Sequence, residues 1–171
     1  VEVVVELIGG TDTAKELVLA AIEQGKHVVT ANKALLATHG EEILERAEKA
    51  GVTVKFEAAV AGGIPIIKAL TEGLSGNTIN SIAGIINGTG NYILTEMREK
   101  GRTFDDALAD AQRLGYAEAD PTFDIDGTDA AQKLVILSAL AFGSSLDVSH
   151  CYQEGISSVY PADIRYALEM G

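Results

Sequence analysis

The chain has 171 residues and a formal net charge of -12, with acids spread along its whole length. Nearly half of its residues are apolar, so it can bury a sizeable core without staples, and its single cysteine, Cys151, excludes an internal disulfide and fits a reducing compartment. The negative balance argues against nucleic acid or an anionic membrane surface as partner. No apolar run approaches the roughly 20 residues needed to span a bilayer.

In chain order, Val1 to Ile8 is β-branched and apolar, interrupted by Glu2 and Glu6, and reads as a strand ending at Gly9-Gly10. Thr11 and Asp12 are N-cap candidates for a helix that Gly25 closes, with Leu17, Ala20, Ala21 and Ile22 toward one face. His27 to Thr30 reads as a short buried strand, Glu41 to Ala50 as a helix closed by Gly51, and Val52 to Glu57 as a third strand. Three strands alternating with two helices require parallel pairing through crossover helices. The expected class is therefore α/β, the C-terminal half of a Rossmann-like parallel sheet.

The register changes after Glu57. Ala61-Gly62-Gly63 is a flexible turn, and Pro65 opens a helix to Gly73, where its missing N–H costs nothing. Asn77 to Asn87 reads as a longer strand. The run NGTGN (Asn87 to Asn91) turns into a helix ending near Gly101. Thr103 caps another helix to Leu114, with Asp106 at its third position in a capping-box-like arrangement. Asp126 or Thr128 starts a helix to Phe142 that is apolar all round beyond Lys133, and Pro161 to Met170 forms the last helix. The division expected is a partial nucleotide-binding domain over 1–59 and an α+β substrate and dimerisation domain over 60–171. Because the chain begins inside a strand pattern and stops directly after a helix, it is expected to be a piece of a longer protein.

The densest chemistry lies between Gly115 and Lys133. Five acids (Glu118, Asp120, Asp124, Asp126 and Asp129) precede the first base, Lys133. On a helix, Asp129 and Lys133 share a face about 6 Å apart along the axis. An exposed ion pair worth about 0.3–0.5 kcal/mol fits this spacing. So does a desolvated lysine suited to proton transfer, because the helix that follows is apolar. Carboxylates around a pocket also suit a substrate carrying an ammonium group. Lys33 follows the strand His27 to Thr30 at its carboxyl end, the edge where ligands of open α/β sheets bind, and Gly9-Gly10 lies at the same edge. Each of these has a plainer reading, as a strand-end lysine and a tight turn. NGTGN offers a hydroxyl and helix N-terminal N–H groups to a ligand, or is a simple turn. The three histidines are scattered, and no transition-metal site is expected. No G-x-G-x-x-G occurs.

The run Ala111-x-x-x-Gly115-Tyr116-Ala117-x-x-Asp120-Pro121-x-x-Asp124-Ile125-x-Gly127-x-Asp129-x-x-x-Lys133 resembles the signature of homoserine dehydrogenase. VELIGG, VVTANKALL, FEAAVAGGIPII and GIINGTGNYIL resemble the same family in the same order. The resemblance implies an NAD- or NADP-dependent oxidoreductase interconverting L-homoserine and L-aspartate 4-semialdehyde, in the route to threonine, methionine and isoleucine. It implies Lys133 and Lys33 for proton transfer at the substrate oxygen. Glu118 and Asp129 would hold the substrate amino group, with Asp124, Tyr116 and Thr89 lining the pocket. Gly9, Gly10, Thr30, Ala31, Asn32, Lys33, Gly115 and Glu118 would border the cofactor. Glu57, Val60, Gly62 and Ile64 would hold a monovalent cation, Na+, mainly through backbone carbonyls. A cytoplasmic homodimer paired through the substrate domain is implied, with the expected strand Asn77 to Asn87 as part of its interface.

The family's G-x-G-x-x-G turn, its NAD/NADP-selecting segment and its closing elements have no counterpart in these 171 residues, so the chain alone is expected to be inactive and to bind cofactor weakly. Two other readings compete. An acylating semialdehyde dehydrogenase needs a cysteine nucleophile, for which only Cys151 is available. A non-enzymatic dimerisation module would be expected to have lost Lys133, Asp129 or Glu118, and all three are present.

Overall fold

The structure is a computed structural model describing residues 1–171. The chain forms two compact units, Val1–Ile82 with Gln132–Cys151, and Ala83–Ala131 with Tyr152–Gly171. The compact units therefore follow space rather than chain order, whereas the expected division at residue 59 follows chain order.

The first unit begins β1 (Val3–Glu6), α1 (Asp12–Glu23), β2 (His27–Thr30), α2 (Lys33–Ala50) and β3 (Val54–Lys55). The sheet is parallel with order β1-β2-β3, and its register pairs Val3 with His27, Glu6 with Thr30 and Val28 with Val54. Helical spacing puts Ala14, Val18 and Ile22 of α1 on one stripe. They pack with Leu35, Ile43 and Ala47 of α2 over Val28 and Val54 of the sheet. Strand alternation sends Val3, Val5 and Val29 to the opposite face, where they are exposed.

Helix α2 starts eight residues before the expected Glu41. The Asn32 side chain accepts from Leu35 N and caps it, and Gly51 ends it in the left-handed region at φ 66°. Gly40 lies in its middle, against Leu146, whose Cδ1 would stand 2.7 Å from a Cβ there. Strand β3 is shorter than predicted, because Glu57–Ala59 winds into a 3₁₀ turn. The helix expected from Pro65 to Gly73 is a short α-turn, α3 (Ile66–Lys68), running into a π-turn over Ala69–Gly73. A second cluster joins Leu36 of α2, Val60 and Ile67 to Ile136 and Leu137.

The expected strand from Asn77 to Asn87 is not formed, since the only sheet contains β1, β2 and β3. Its β-branched composition suits a strand, but a strand is stable only with a neighbour to receive its N–H and C=O groups. Residues 60–171 consequently hold helices and turns and no strand.

The second unit contains α4 (Gly88–Lys100), α5 (Phe104–Leu114), α6 (Thr122–Ile125) and α8 (Pro161–Met170). Ile93 and Met97 of α4 pack on Ala107 and Ala111 of α5 and on Ala117, with Ile156, Val159 and Ile164 against them. Asn87 and Thr103 cap α4 and α5, and Gly101 and Gly115 end them with positive φ. Thr103 accepts from Asp106 N and donates its hydroxyl to the Asp106 carboxylate, a side-chain version of the expected capping box. Between the two helices, buried Glu96 receives Lys100 and Arg102, and Arg102 also pairs with Asp110.

Helix α7 (Thr128–Phe142) has its first residues in the second unit and the remainder in the first. It is not buried all round as expected. Ala131, Val135, Ile136 and Leu137 are buried, whereas Leu134 and Phe142 are exposed. No helix is long and apolar enough to cross a membrane.

Candidate functional site

At the carboxyl edge of the sheet, β1 ends in Gly9 and Gly10, with φ 75° and 69°. A Cβ on either glycine would meet nothing within 4 Å, so they are needed for backbone conformation while the space before them is open. The neighbouring turn, Thr30 to Lys33, ends β2 and starts α2. Asn32 Nδ2 donates to Gly10 O at 2.7 Å and so ties the two turns together. Lys33 is the first residue of α2 and is half-buried. Beneath these turns lies Glu6, a buried carboxylate whose place in a β-branched strand pattern carries no sign of this role in sequence.

The five acids between Glu118 and Asp129 separate into distinct jobs. Asp120 accepts from Thr122 N and from the Thr122 hydroxyl at 2.6 Å, which holds its carboxyl below the ordinary range. Asp126 accepts from Thr128 N at the start of α7. These two shape local turns. Glu118 is exposed. Asp124 and Asp129 converge on Asn87, whose Nδ2 donates to Asp124 Oδ1 at 2.7 Å and to Asp129 Oδ2 at 2.9 Å. The Asn87 oxygen accepts from Gly90 N at 2.6 Å, so its amide group must face the two carboxylates. One neutral donor thus gathers two carboxylates, a group type that can receive an ammonium. Thr89 donates its hydroxyl to Tyr116 O at 2.7 Å, and the Tyr92 and Tyr116 rings lie 4.9 Å apart. Asn87 was read only as part of a turn. Its one signal is position, as a cap at the head of a helix rich in small residues.

In the loop from Glu57 to Ile64 the acid side chain faces main-chain N–H groups. Both Glu57 carboxylate oxygens accept backbone N–H groups, from Ile67 at 2.8 Å and Lys68 at 2.9 Å. Ala61 at φ 60° and Gly62 at φ 57° turn the chain through the left-handed region, and Ile64 N donates to Ala61 O. Val60 is buried and Ile64 exposed. No group of three or more His, Cys, Asp or Glu side chains is placed to hold a metal ion. A cation here would therefore rest on main-chain carbonyls, a donor set suited to hard ions and not to transition metals. Cys151 lies just past the 3₁₀ turn Val148–His150, half-buried.

An open parallel sheet with crossover helices and a Gly-Gly turn at its carboxyl edge defines a Rossmann-like nucleotide-binding unit, joined here to a helical unit with an acid-lined site. Comparison with known proteins places it further. Residues 1–57 match the model of the homoserine dehydrogenase NAD-binding domain, and residues 65–171 match that of homoserine dehydrogenase. All 171 residues are 67% identical to homoserine dehydrogenases of Pseudomonas aeruginosa and Neisseria gonorrhoeae, covering 39% of each. A crystal structure of a homoserine dehydrogenase from Thiobacillus denitrificans superposes with a TM-score of 0.97 at 64% identity, over the whole of this chain and 40% of that one. A hyperthermophilic archaeal homoserine dehydrogenase in complex with NADPH matches 92% of this chain and 48% of its own, with a TM-score of 0.82 at 34% identity. The chain belongs to the homoserine dehydrogenase family. It spans about two-fifths of the length of the first two of these relatives.

Proposed function

We propose that this chain carries the substrate and proton-transfer residues of an NAD(P)-dependent oxidoreductase that interconverts L-homoserine and L-aspartate 4-semialdehyde. The observation that carries this reading is the convergence of Asp124 and Asp129 on the Asn87 amide, within a chain of this family. An α-amino substrate carries an ammonium group that such a pair of carboxylates can receive. Asp129 and Glu118 are assigned to the amino group, with Asp124, Tyr116 and Thr89 lining the pocket. The cofactor, when bound, supplies or takes the hydride at the carbon bearing the oxygen. As negative charge develops on that oxygen, a lysine ammonium stabilises it and delivers the proton, and the reverse reaction returns the proton to the amine. Lys133, one turn beyond Asp129 on α7, and Lys33, at the start of α2, are assigned to this step.

Gly9, Gly10, Thr30, Ala31, Asn32, Lys33, Gly115 and Glu118 are proposed to border the nucleotide. Glu57, Val60, Gly62 and Ile64 are proposed to hold Na+. The assembly proposed is a cytoplasmic homodimer, acting in threonine, methionine and isoleucine biosynthesis. The test is oxidation of homoserine with NAD⁺ and NADP⁺ by the complete gene product. Lys133→Ala is expected to lower kcat more than tenfold, and a kcat within tenfold of wild type overturns its role. The 171-residue chain by itself, which holds no G-x-G-x-x-G, is proposed to be inactive and to bind cofactor weakly or not at all; saturable NAD(P)H binding by it refutes that.

A further inference from the structure

We infer that Glu6 is a positioning residue for the nucleotide, acting through the two turns at the carboxyl edge of the sheet. It is only 4% exposed, at the last position of β1 and in register with Thr30 of β2. A buried carboxylate is costly unless donors surround it. Glu6 Oε1 accepts from Ile8 N at 2.9 Å and Gly9 N at 3.3 Å, and Oε2 accepts the Thr30 hydroxyl at 2.6 Å. Thr30 Oγ1 in turn accepts from Asn32 N at 2.9 Å, and Asn32 Nδ2 donates to Gly10 O at 2.7 Å. The bonds close a ring that runs from Glu6 through Thr30 and Asn32 to Gly10 and back through Gly9.

The ring explains the carboxylate. Every contact of Glu6 is a donor, so an ionised acid satisfies all of them at once, which neither an amide nor an apolar group does. Its two oxygens face different turns, and each turn precedes or starts a helix. A Cβ on Gly9 or Gly10 would meet nothing within 4 Å, and the ring bonds at Gly9 N and Gly10 O tie the turn to Glu6 and Asn32. A shift of either turn moves groups assigned to the nucleotide, whereas Asn87, Asp124 and Asp129 belong to the second unit. This inference rests on the functional reading above.

The test uses the complete gene product. Glu6→Gln keeps the size but turns one acceptor into a donor facing the Thr30 hydroxyl. Its KM and Kd for the nucleotide are expected to rise about tenfold, with the KM for homoserine within threefold of wild type. Thr30→Val should reproduce this split and Thr30→Ser should restore wild-type values. The double variant Glu6→Gln/Thr30→Val should be no worse than the poorer single one, because both break one ring. A folded Glu6→Gln or Thr30→Val protein with nucleotide KM within twofold of wild type overturns the proposal, as does an equal rise in both KM values. Amide exchange at Ile8, Gly9 and Asn32 reads the ring without any ligand and should quicken at least tenfold in Glu6→Gln. Unchanged exchange overturns the ring. Wild-type protein that binds neither nucleotide overturns the functional reading instead, and with it the nucleotide's part in this inference.

Discussion

Asn87 joins a helix cap to two carboxylates, and Asn87→Asp separates these roles. Aspartate caps as well as asparagine, so the bond from Gly90 N survives. The two bonds from Nδ2 to Asp124 and Asp129 are lost, and a third carboxylate faces the pair. Hydrogen bonds to charged groups are worth about 1.5–3 kcal/mol each. Asp124 is half-buried and regains part of its solvation, whereas Asp129, 7% exposed, regains little. A loss of about 3 kcal/mol follows from the bonds alone, and repulsion adds to it. The like charges beside the introduced carboxyl push its folded pKa up relative to the same cap without them. The repulsive penalty is therefore full above that raised pKa and disappears below the pKa of the cap without them. Thermal unfolding of the complete gene product should show a deficit against wild type at pH 7.5 that is smaller at pH 5. Asn87→Ala loses the cap and the bonds without adding charge, so its deficit should be nearly the same at both pH values. An Asn87→Asp deficit that does not change with pH refutes the convergence of three acidic groups on this point.

Three other outcomes follow from particular contacts. Ala61→Gly should be neutral or stabilising by up to about 1 kcal/mol, since it relieves a left-handed alanine at φ 60° against a greater unfolded-state entropy; unfolding that shows a clear loss counts against this backbone conformation. Glu57→Ala should cost about 1–2 kcal/mol by stripping the acceptors from Ile67 N and Lys68 N, measured as a lower unfolding midpoint. The bonds from Lys100 and Arg102 hold the Glu96 carboxyl below its ordinary range, and Arg102 and Arg113 do the same for Asp110. Depressed carboxyls stabilise above their unfolded pKa values and lose that contribution as pH falls through the folded ones, so Arg102→Gln should move acid unfolding, followed by circular dichroism, to higher pH.

What could be read in advance was local. Strand β2, helix α5 with its Thr103 cap, and α8 behind Pro161 stand where turn chemistry and periodicity place them. The start of α2 was hidden because Thr38, His39 and Gly40 interrupt its apolar pattern. The side chain that Gly40 lies against, Leu146, is over a hundred residues away. Residues Asn77 to Asn87 look like a strand in composition, but pairing is a property of a neighbour and cannot be read from the segment itself. The apolar run of α7 promised burial on all sides, yet only a stripe of it meets the core.

The same distinction governs the site. Lys133 and Asp129 were visible because helical spacing relates them, and Gly9-Gly10 because a strand must end somewhere. The five acids of the loop could not be ranked, because a carboxylate that caps its own turn and one that serves a ligand are the same residue type at similar spacing. Asp120 and Asp126 bind N–H groups two residues ahead, contacts that any such turn provides. Asp124 and Asp129 are set apart only by Asn87, 37 and 42 residues earlier, and Glu6 only by Thr30, 24 residues later. Asn87 and Glu6, the side chains that gather the carboxylate pair and tie the two edge turns, belong to no motif of reacting groups. Motifs are recognised by reacting groups, so residues whose work is to hold other residues in place emerge only when the fold has brought their partners to them.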